Sequence, residues 1–438
     1  MLKGTIRAEP IVKWKGDKTM DKVKIGVIGG GRGKSMIRYG REASNAELVA
    51  ICDFRDDVLE RMKKECGEDG ISYYSDYDEF LKHDMDAVVL ANYANQHAPF
   101  AIKAMKAGKH VFSEVLPVQT LKEAVELIET VEETGKIYAY GENYCFMSAP
   151  YEMRKLYRQG LIGEFEYGEG EYVHNCEPIW PEITYGEPDH WRNNMYATFY
   201  CTHSIGPMIH ITGLRPVKVT GFEGPKTERK VRVGSKSGSF GMELIQLENG
   251  GIFKSIHGDL YVDSIWYSIY GSKGNMESAR ESAQNGAFDR IYIHADEYSG
   301  GYDTTRKDTY LPTRAQDEQA KSFGHGTSDF YTMYNFVRKI QGDPDADIID
   351  VYEALDMFLP GLFAYRSVLN GGIPMEIPNL REKSVRDLYR NDTACTDPLV
   401  AGDQLIPVFS KGNPEIPDAI YRDVKRKWEI EKAKSDNN

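Results

Sequence analysis

Short apolar runs alternate with amphipathic stretches over the first third of the chain. The first run, VKIGVI at 23–28, leads directly into glycines, which predicts a buried strand followed by a tight turn. Later strand-like runs end near residues 53, 75, 92, 115 and 143, and a helical pattern precedes each of them. Strands that alternate with helices form βαβ units around a parallel sheet. We therefore predict a doubly wound Rossmann domain over 21–144.

The pattern changes after residue 144, where strand-like segments follow one another with few helices between them. The predicted strands cover 163–174, 217–223, 229–233, 242–247, 252–262, 265–271 and 290–294. Such an order favours an open, mainly antiparallel sheet. Two helical patterns follow, at 328–341 and 350–369. We place an α+β domain for substrate and oligomer contacts at 145–372.

The two ends of the chain lie outside these domains. Residues 1–20 are predicted to be an N-terminal extension, and 373–438 a C-terminal extension that ends as a solvated arm or a terminal helix. The first twenty residues lack the apolar core of a signal peptide, and no run approaches the roughly 20 apolar residues that span a bilayer. We expect no membrane partner.

Composition narrows the partners further. The net charge of −13 argues against nucleic acid, which requires a basic face. The six cysteines form no CxxC pair, and such usage fits reduced thiols in a cytoplasmic protein.

The glycine turn in VIGGGRGKSM allows two interpretations. Gly33-Lys34-Ser35 resembles the end of a P-loop, but that motif needs a glycine five positions before Gly33, where Ile28 stands. A dinucleotide site needs a strand, a glycine turn, a helix and an acidic residue about 20 positions on, and Asp53 completes that set. Its carboxylate disfavours a 2′-phosphate, so NAD is predicted over NADP. Lys34, at the third fingerprint position, departs from the motif.

The predicted cofactor site joins the turn to residues at or after the ends of the later strands. Helix N-termini and the carboxyl ends of parallel strands are where such sheets bind dinucleotides. The predicted cofactor-binding residues are Gly29, Gly30, Gly31, Arg32, Gly33, Asp53, Arg55, Asn92, Asn95, His97, Glu114 and Asn143.

Three stretches resemble the Gfo/Idh/MocA oxidoreductases, sugar-acting enzymes with a Rossmann domain and an open-sheet domain. They are VKIGVIGGGRG, AVVLANYANQHAPFAIKAMKAGKHVFSEV and GENYCFM. Most members follow the strand after AGKHV with Glu-Lys-Pro, whose lysine takes part in catalysis, but this chain has Glu114-Val115-Leu116-Pro117. Most also carry an aspartate four residues before a catalytic histidine, where this chain has Phe199 before His203.

Both departures point to the offshoot that contains NAD-dependent α-N-acetylgalactosaminidases. Patterns similar to theirs occur at GEYVHN (170–175), HWRNN (190–194), YCTH (200–203) and GHGTSDF (324–330). The resemblance implies oxidation of sugar carbon 3 by NAD, which acidifies the hydrogen on carbon 2. In the glycosidases the aglycone then leaves by elimination, water adds and the cofactor is regenerated in place.

Oxidation of a sugar hydroxyl needs a base of tunable pKa, for which histidine and tyrosine are suited. Within the matching motifs the candidates for catalysis are Tyr172, His174, Tyr200 and His203. Trp191, Arg192 and His325 are candidates for contacting the substrate. A metal site built from His174, Cys176 and His203 lacks recognised ligand spacing, so no metal is predicted.

Three functions follow from these residues. The first is an NAD-dependent oxidoreductase acting on a sugar or glycoside, and the second is a glycosidase or lyase that retains and recycles NAD. The third is a non-catalytic NAD- or sugar-binding protein. The exposed face of an open sheet further predicts a homo-oligomer, a dimer or a tetramer.

Overall fold

The computed structural model describes residues 21–67, 69–280, 289–296 and 305–436. The extension predicted at 1–20 lies outside these residues and stays a prediction. Within the described part of the chain, no helix combines the length and apolar character that a membrane span requires.

Six parallel strands form the first sheet, in the order β3-β2-β1-β4-β5-β6. The strands are β1 Val23–Ile28, β2 Ala46–Cys52, β3 Ser72–Tyr74, β4 Ala87–Leu90, β5 His110–Ser113 and β6 Tyr138–Tyr140. The helices between them are α1 Lys34–Glu42, α2 Asp56–Cys66, α3 Tyr77–Leu81, α4 His97–Lys106 and α5 Leu121–Thr134. This order is that of a Rossmann fold and confirms the predicted doubly wound domain.

Local chemistry explains where these elements begin and end. Almost every residue of β1 and β4 is buried, as expected of strands covered by helices on both faces. Helix α5 begins at a capping box in which Thr120 and Glu123 satisfy each other's backbone N–H groups, and it ends at Gly135 in the left-handed conformation.

A crevice opens where the strand order reverses, between β1 and β4. The chain leaves β1 at Gly29 and β4 at Ala91, so their loops diverge to opposite sides of the sheet. Open α/β sheets bind their ligands at such a switch point.

The second sheet has nine strands in the described residues, in the order β14-β13-β12-β11-β7-β10-β9-β8-β15. They are β7 Phe165–Val173, β8 Pro216–Glu223, β9 Phe240–Leu247, β10 Ile252–Gly258, β11 Ser264–Gly271, β12 Gly274–Ser278, β13 Ile291–Asp296, β14 Thr305–Tyr310 and β15 Met375–Glu376. Only β7 and β10 pair in parallel among them, which confirms the mainly antiparallel prediction.

The strand predicted at 229–233 is wrong. That stretch instead contains helix α9, Glu228–Val231. Its KVRV alternation is typical of a strand, but a helical turn brings both Arg229 and the buried Lys230 to Asp259, with N–O distances of 2.9 and 3.5 Å. The strand predicted at 252–262 also ends earlier, at Gly258.

Ten further α-helices lie in the described residues. They are α6 Ser148–Arg158, α7 Trp180–Thr184, α8 Thr202–Thr212, α9, α10 Asp317–Ala320, α11 Ser328–Ile340, α12 Val351–Leu369, α13 Lys383–Tyr389, α14 Pro398–Ala401 and α15 Asp418–Asp436. Helices α8 and α12 cover the inner face of the second sheet. Glycines permit the close packing, since a Cβ on Gly170 would lie 2.1 Å from the Ser204 carbonyl oxygen and one on Gly221 2.2 Å from that of Ala364.

The C-terminal extension packs against both domains. Of the two predicted alternatives for its end, a solvated arm or a terminal helix, the structure has the helix. Arg390 forms a bidentate ion pair with Glu129 of α5. Helix α15 buries Tyr421 and Val424 and contacts α7, and Lys432 forms an ion pair with Asp57 of α2.

Candidate active site

Three glycines of the turn have different surroundings. Gly29 has φ +96°, and a Cβ there would lie 2.2 Å from the Ala91 carbonyl oxygen. A Cβ on Gly33 would lie 2.5 Å from the Gly29 carbonyl oxygen, so Gly33 lets α1 approach β1. Gly31 is exposed, with no heavy atom within 4 Å of its Cβ position. The turn is therefore packed on the protein side and open toward the crevice.

The packing at Gly33 explains why a lysine is tolerated at position 34. The close approach of helix and strand is made at Gly33, one residue earlier than the usual fingerprint position. Lys34 points away from the crevice, where its nearest carboxylate is that of Glu65 at 3.9 Å. A lysine at this position therefore obstructs nothing.

Asp53 stands beside the turn as the sequence predicts. Its Oδ2 accepts the Gly30 N–H at 2.8 Å and its Oδ1 accepts the Arg55 N–H at 2.9 Å. Burial raises the pKa of this carboxyl group, and the two N–H donors oppose that shift. Each carboxylate oxygen keeps a second lone pair that can accept a ribose hydroxyl.

The edge of the Rossmann sheet also offers acceptors that fit NAD. The side-chain amide oxygens of Asn92, Asn95 and Asn143 are buried without a hydrogen-bond partner among the described residues. A buried acceptor needs a donor, and the ribose hydroxyls and the carboxamide of a nicotinamide dinucleotide are donors. With the open Gly31 and the placed Asp53, these residues would hold NAD along the crevice.

His97 is less suited to the cofactor-binding role predicted for it. Its Nδ1 lies 2.8 Å from the Leu116 carbonyl oxygen and its Nε2 3.2 Å from that of Asn92. The ring is buried, which lowers its pKa to about 4. His97 therefore stabilises the loop after β4, and both of its ring nitrogens already have backbone carbonyl partners.

A charged network joins the glycine turn to α11. Arg32 lies 2.7 Å from Glu114 and donates two hydrogen bonds to Asp329, at 3.0 and 3.1 Å. Asn143 donates to Asp329 at 2.9 Å, and His325 Nδ1 lies 3.1 Å from it. Arg32 and His325 hold the pKa of Asp329 well below its usual range despite burial, whereas burial raises the pKa of Glu114 to about 7. Three predicted site residues, Arg32, Asn143 and His325, thus meet at an aspartate that was not predicted, and Glu114 joins them through Arg32.

Arg55 lies at the adenosine end of the crevice, where its guanidinium is already surrounded. Its central carbon is 4.1 Å from the Tyr185 ring and 5.1 Å from the Trp428 ring of α15. Its nitrogens also lie 3.2 Å from Asp57 and 3.7 Å from Glu187. This end of the crevice is therefore covered by α15 and by the loop that follows α7.

His203 lies at the opposite end, at the start of α8. Its Nδ1 is 2.7 Å from Oε1 of Glu142, a fully buried residue two positions after the end of β6. Burial lowers the pKa of His203, and the Glu142 carboxylate opposes that shift.

Three tyrosines surround this histidine. The ring centroids of Tyr144, Tyr172 and Tyr200 lie 4.3, 4.6 and 5.2 Å from that of His203. Burial raises the pKa of all three phenols, so they remain protonated and able to donate hydrogen bonds near neutral pH. The predicted Tyr172, Tyr200 and His203 are thus brought together, with Tyr144 as an unpredicted fourth member.

The remaining candidates lie around this cluster. The Arg192 guanidinium carbon is 4.5 Å from the Trp191 ring and 5.0 Å from the Tyr200 ring. His174 follows the end of β7, with its ring 6.2 Å from Tyr172 and its Nδ1 3.5 Å from Asp263. No three His, Cys, Asp or Glu side chains of the described residues are grouped as metal ligands.

Three residues of the candidate site were not predicted from the sequence, namely Glu142, Tyr144 and Asp329. The first two lie in the quoted GENYCFM stretch and the third in GHGTSDF, so their motifs were noted but their partners were not. The partners are distant in sequence. Glu142 and His203 are 61 positions apart, and Arg32 and Asp329 are 297 positions apart.

Residues 23–142 match the family model GFO_IDH_MocA, described as an oxidoreductase family with an NAD-binding Rossmann fold. This stretch of the chain is therefore similar to the Gfo/Idh/MocA oxidoreductases, as the sequence predicts. The match and the relatives described below confirm the predicted family resemblance, NAD as the cofactor and an NAD-dependent enzyme.

Curated relatives extend the likeness beyond the Rossmann domain. A glycosyl hydrolase family 109 protein of Solibacter usitatus is 28% identical over 394 residues, 82% of this chain and 88% of the relative. Glycosyl hydrolase family 109 protein 2 of Shewanella sp. (strain ANA-3) is 35% identical over 202 residues, 43% of this chain and 44% of the relative. Among solved structures, levoglucosan dehydrogenase in complex with NADH has a TM-score of 0.67 at 17% identity, covering 82% of this chain and all of that one, which supports the fold.

Proposed function

We propose that this protein oxidises a hydroxyl group of a sugar or glycoside with NAD⁺ as the hydride acceptor. The family resemblance favours carbon 3 of the sugar ring as the site of oxidation. The observation that carries the proposal is the buried His203, anchored by Glu142 and surrounded by three protonated tyrosines. A base and several hydroxyl donors in one cluster suit a substrate that carries several hydroxyl groups.

The side chains have separable tasks in this proposal. His203 accepts the hydroxyl proton at Nε2, because Nδ1 donates its hydrogen to Glu142. Tyr172 and Tyr200 donate hydrogen bonds that orient the sugar, and His174 contacts it from the rim. Trp191 offers an apolar face for the ring and Arg192 a charged donor. Bound NAD⁺ supplies the acceptor for the hydride that leaves the same carbon.

The adenosine end supports NAD over NADP. Asp53 presents carboxylate oxygens where a 2′-phosphate would stand. Arg55 is the nearby cation that could pair with a 2′-phosphate. Its guanidinium already contacts Asp57, Glu187 and two aromatic rings. A 2′-phosphate would meet a negative charge without a free partner.

The test is incubation of the enzyme with NAD⁺ and a panel of free sugars and glycosides. A dehydrogenase produces NADH in proportion to the substrate, measured at 340 nm. If NAD⁺ raises the melting temperature but no compound gives NADH or a cleaved product, the protein is a binding module and the proposal is wrong.

A glycosidase that recycles NAD is the second candidate. It is favoured by the relatives named glycosyl hydrolase family 109 proteins and by the cover that α15 forms over the adenosine end. A covered cofactor leaves slowly, as recycling in place requires. Aglycone release without net NADH would identify this activity in the same panel.

We further propose that the enzyme is a homo-oligomer, a dimer or tetramer, in the cytoplasm. Large apolar side chains on the outer face of the second sheet are more than one third exposed, namely Phe222, Leu244, Ile252, Tyr270 and Tyr292. A second copy would cover this face. Sedimentation of the wild type and of Leu244→Glu tests this, since the variant should dissociate. The six unpaired cysteines suit a reducing compartment.

A further inference from the structure

The loop after β6 carries a carboxylate that the family resemblance does not assign. Glu142 is fully buried, and its Oε1 accepts from His203 Nδ1 at 2.7 Å and from the Tyr144 N–H at 3.2 Å. Its Oε2 has no partner among the described residues. A buried carboxylate with a single side-chain partner acts mainly on that partner.

Helix α8 is shaped around this contact. Gly206 lies within the helix, three residues after His203, and a Cβ there would be 2.7 Å from Cγ of Glu142. Glycine inside a helix is destabilising relative to alanine. At this position the missing side chain provides the space through which Glu142 reaches the imidazole.

We propose that Glu142 is the positioning residue of His203, fixing its proton on Nδ1 and presenting an unprotonated Nε2 to the substrate hydroxyl. When Nε2 takes up the hydroxyl proton, the ring becomes an imidazolium whose charge faces the Glu142 carboxylate. This role rests on the proposed oxidation, in which Glu142 makes His203 an effective base. Phe199, which stands where most family members have an aspartate, leaves this task to a residue on another element.

Other groups lie around His203 and define the background for a test, among them Tyr267, whose hydroxyl donates to the His203 backbone carbonyl oxygen. They are Tyr144 after β6, Tyr172 on β7, Tyr200 before α8, Tyr267 on β11, Arg32 in the glycine turn and His325 before α11. Arg32 and His325 lower the pKa of His203, whereas Glu142 is the carboxylate that raises it. Removal of the Glu142 charge should therefore lower the pKa of His203 further.

The test compares Glu142→Gln with Glu353→Gln. Glu353 makes the same kind of contact, 2.6 Å from Nδ1 of the buried His210, outside the site. We expect Glu142→Gln to lower kcat/KM by about 10²-fold or more and to move the acid limb of its pH profile to lower pH. NAD affinity should stay within about twofold of the wild type. Glu353→Gln should keep the wild-type pH limb at temperatures where it is folded. An unchanged limb in Glu142→Gln would overturn the proposal.

A second readout needs no turnover. In the ¹⁵N-histidine spectrum of the wild-type enzyme, the His203 signal, identified by its loss in His203→Asn, should report a proton on Nδ1 at neutral pH. A proton on Nε2 would overturn the proposal whatever the folding of Glu142→Gln. Because this spectrum is recorded without substrate, a failure of the sugar oxidation hypothesis leaves it interpretable.

Discussion

Two glycines of the same turn, Gly31 and Gly33, should respond to alanine in opposite ways. Gly33 has φ −67°, which alanine adopts readily, so the substitution itself favours folding by about 0.4–1 kcal/mol. Its new Cβ would stand 2.5 Å from the Gly29 carbonyl oxygen and 2.8 Å from Val27 Cγ1. Overpacking against backbone costs about 1–3 kcal/mol. We expect Gly33→Ala to destabilise the apo-protein by about 1–2 kcal/mol.

Gly31→Ala places its methyl group in open space, since no atom lies within 4 Å. The free energy of unfolding should therefore stay within about 0.5 kcal/mol of the wild type. The same methyl group would stand where the cofactor's pyrophosphate approaches the backbone N–H groups. Loss of one hydrogen bond to a charged group is worth about 1.5–3 kcal/mol, so NAD affinity should fall about 10- to 100-fold.

Thermal unfolding of the NAD-free proteins and NAD⁺ titration by calorimetry separate the two effects. Gly33→Ala should lower the melting temperature by roughly 2–4 °C for each kcal/mol lost. Wild-type NAD affinity in Gly31→Ala, or wild-type stability in Gly33→Ala, would refute the assignment of the turn.

Three further predictions concern charged and stacked groups around the crevice and the core. Asp53→Asn should weaken NAD binding about tenfold and narrow the preference over NADP, because one amide oxygen replaces two carboxylate oxygens; titration with both cofactors measures this, and an unchanged preference would contradict it. Trp428→Ala should speed NAD dissociation up to about tenfold in a stopped-flow displacement assay, whereas Ile430→Ala, an exposed neighbour on α15, should not; equal rates would show that α15 does not retain NAD. The pKa of His210 is raised by Glu353 and Asp347 against burial, with Arg154 opposing them, so its stabilising contribution is full below about pH 6.5 and is lost as pH rises through the folded-state pKa. Glu353→Gln should therefore cost about 3 kcal/mol in urea unfolding at pH 6 and less at pH 9, and a penalty that grows with pH would contradict this.

The sequence predicts the elements of the Rossmann domain closely because their signals are local. The strand-like runs predicted to end near residues 53 and 75 are β2 and β3, which end at Cys52 and Tyr74, with helix α2 between them. The Gly29 to Asp53 spacing likewise follows from one βαβ unit. The KVRV stretch misleads because a distant carboxylate, Asp259, decides its conformation.

The candidate site is predictable only residue by residue. Tyr172, Tyr200 and His203 are found through their motifs, but nothing local in the sequence indicates that Glu142 meets His203 or that Asp329 meets Arg32. Such contacts depend on how two domains pack, and a single sequence contains no periodic pattern for them. The departure at Lys34 likewise cannot be explained from the sequence, because it is the packing of Gly33 that shows why a lysine is tolerated there.

The central claim is that His203 and bound NAD⁺ act together on a sugar hydroxyl. Rapid mixing of the NAD⁺-loaded enzyme with the glycosides of the panel, followed at 340 nm, tests it within one turnover. We predict a rise in absorbance for at least one compound, lasting for a dehydrogenase and transient for a glycosidase, and its loss in His203→Asn at unchanged NAD affinity. A substrate turned over with no signal at 340 nm, or a full signal in His203→Asn, would contradict the account.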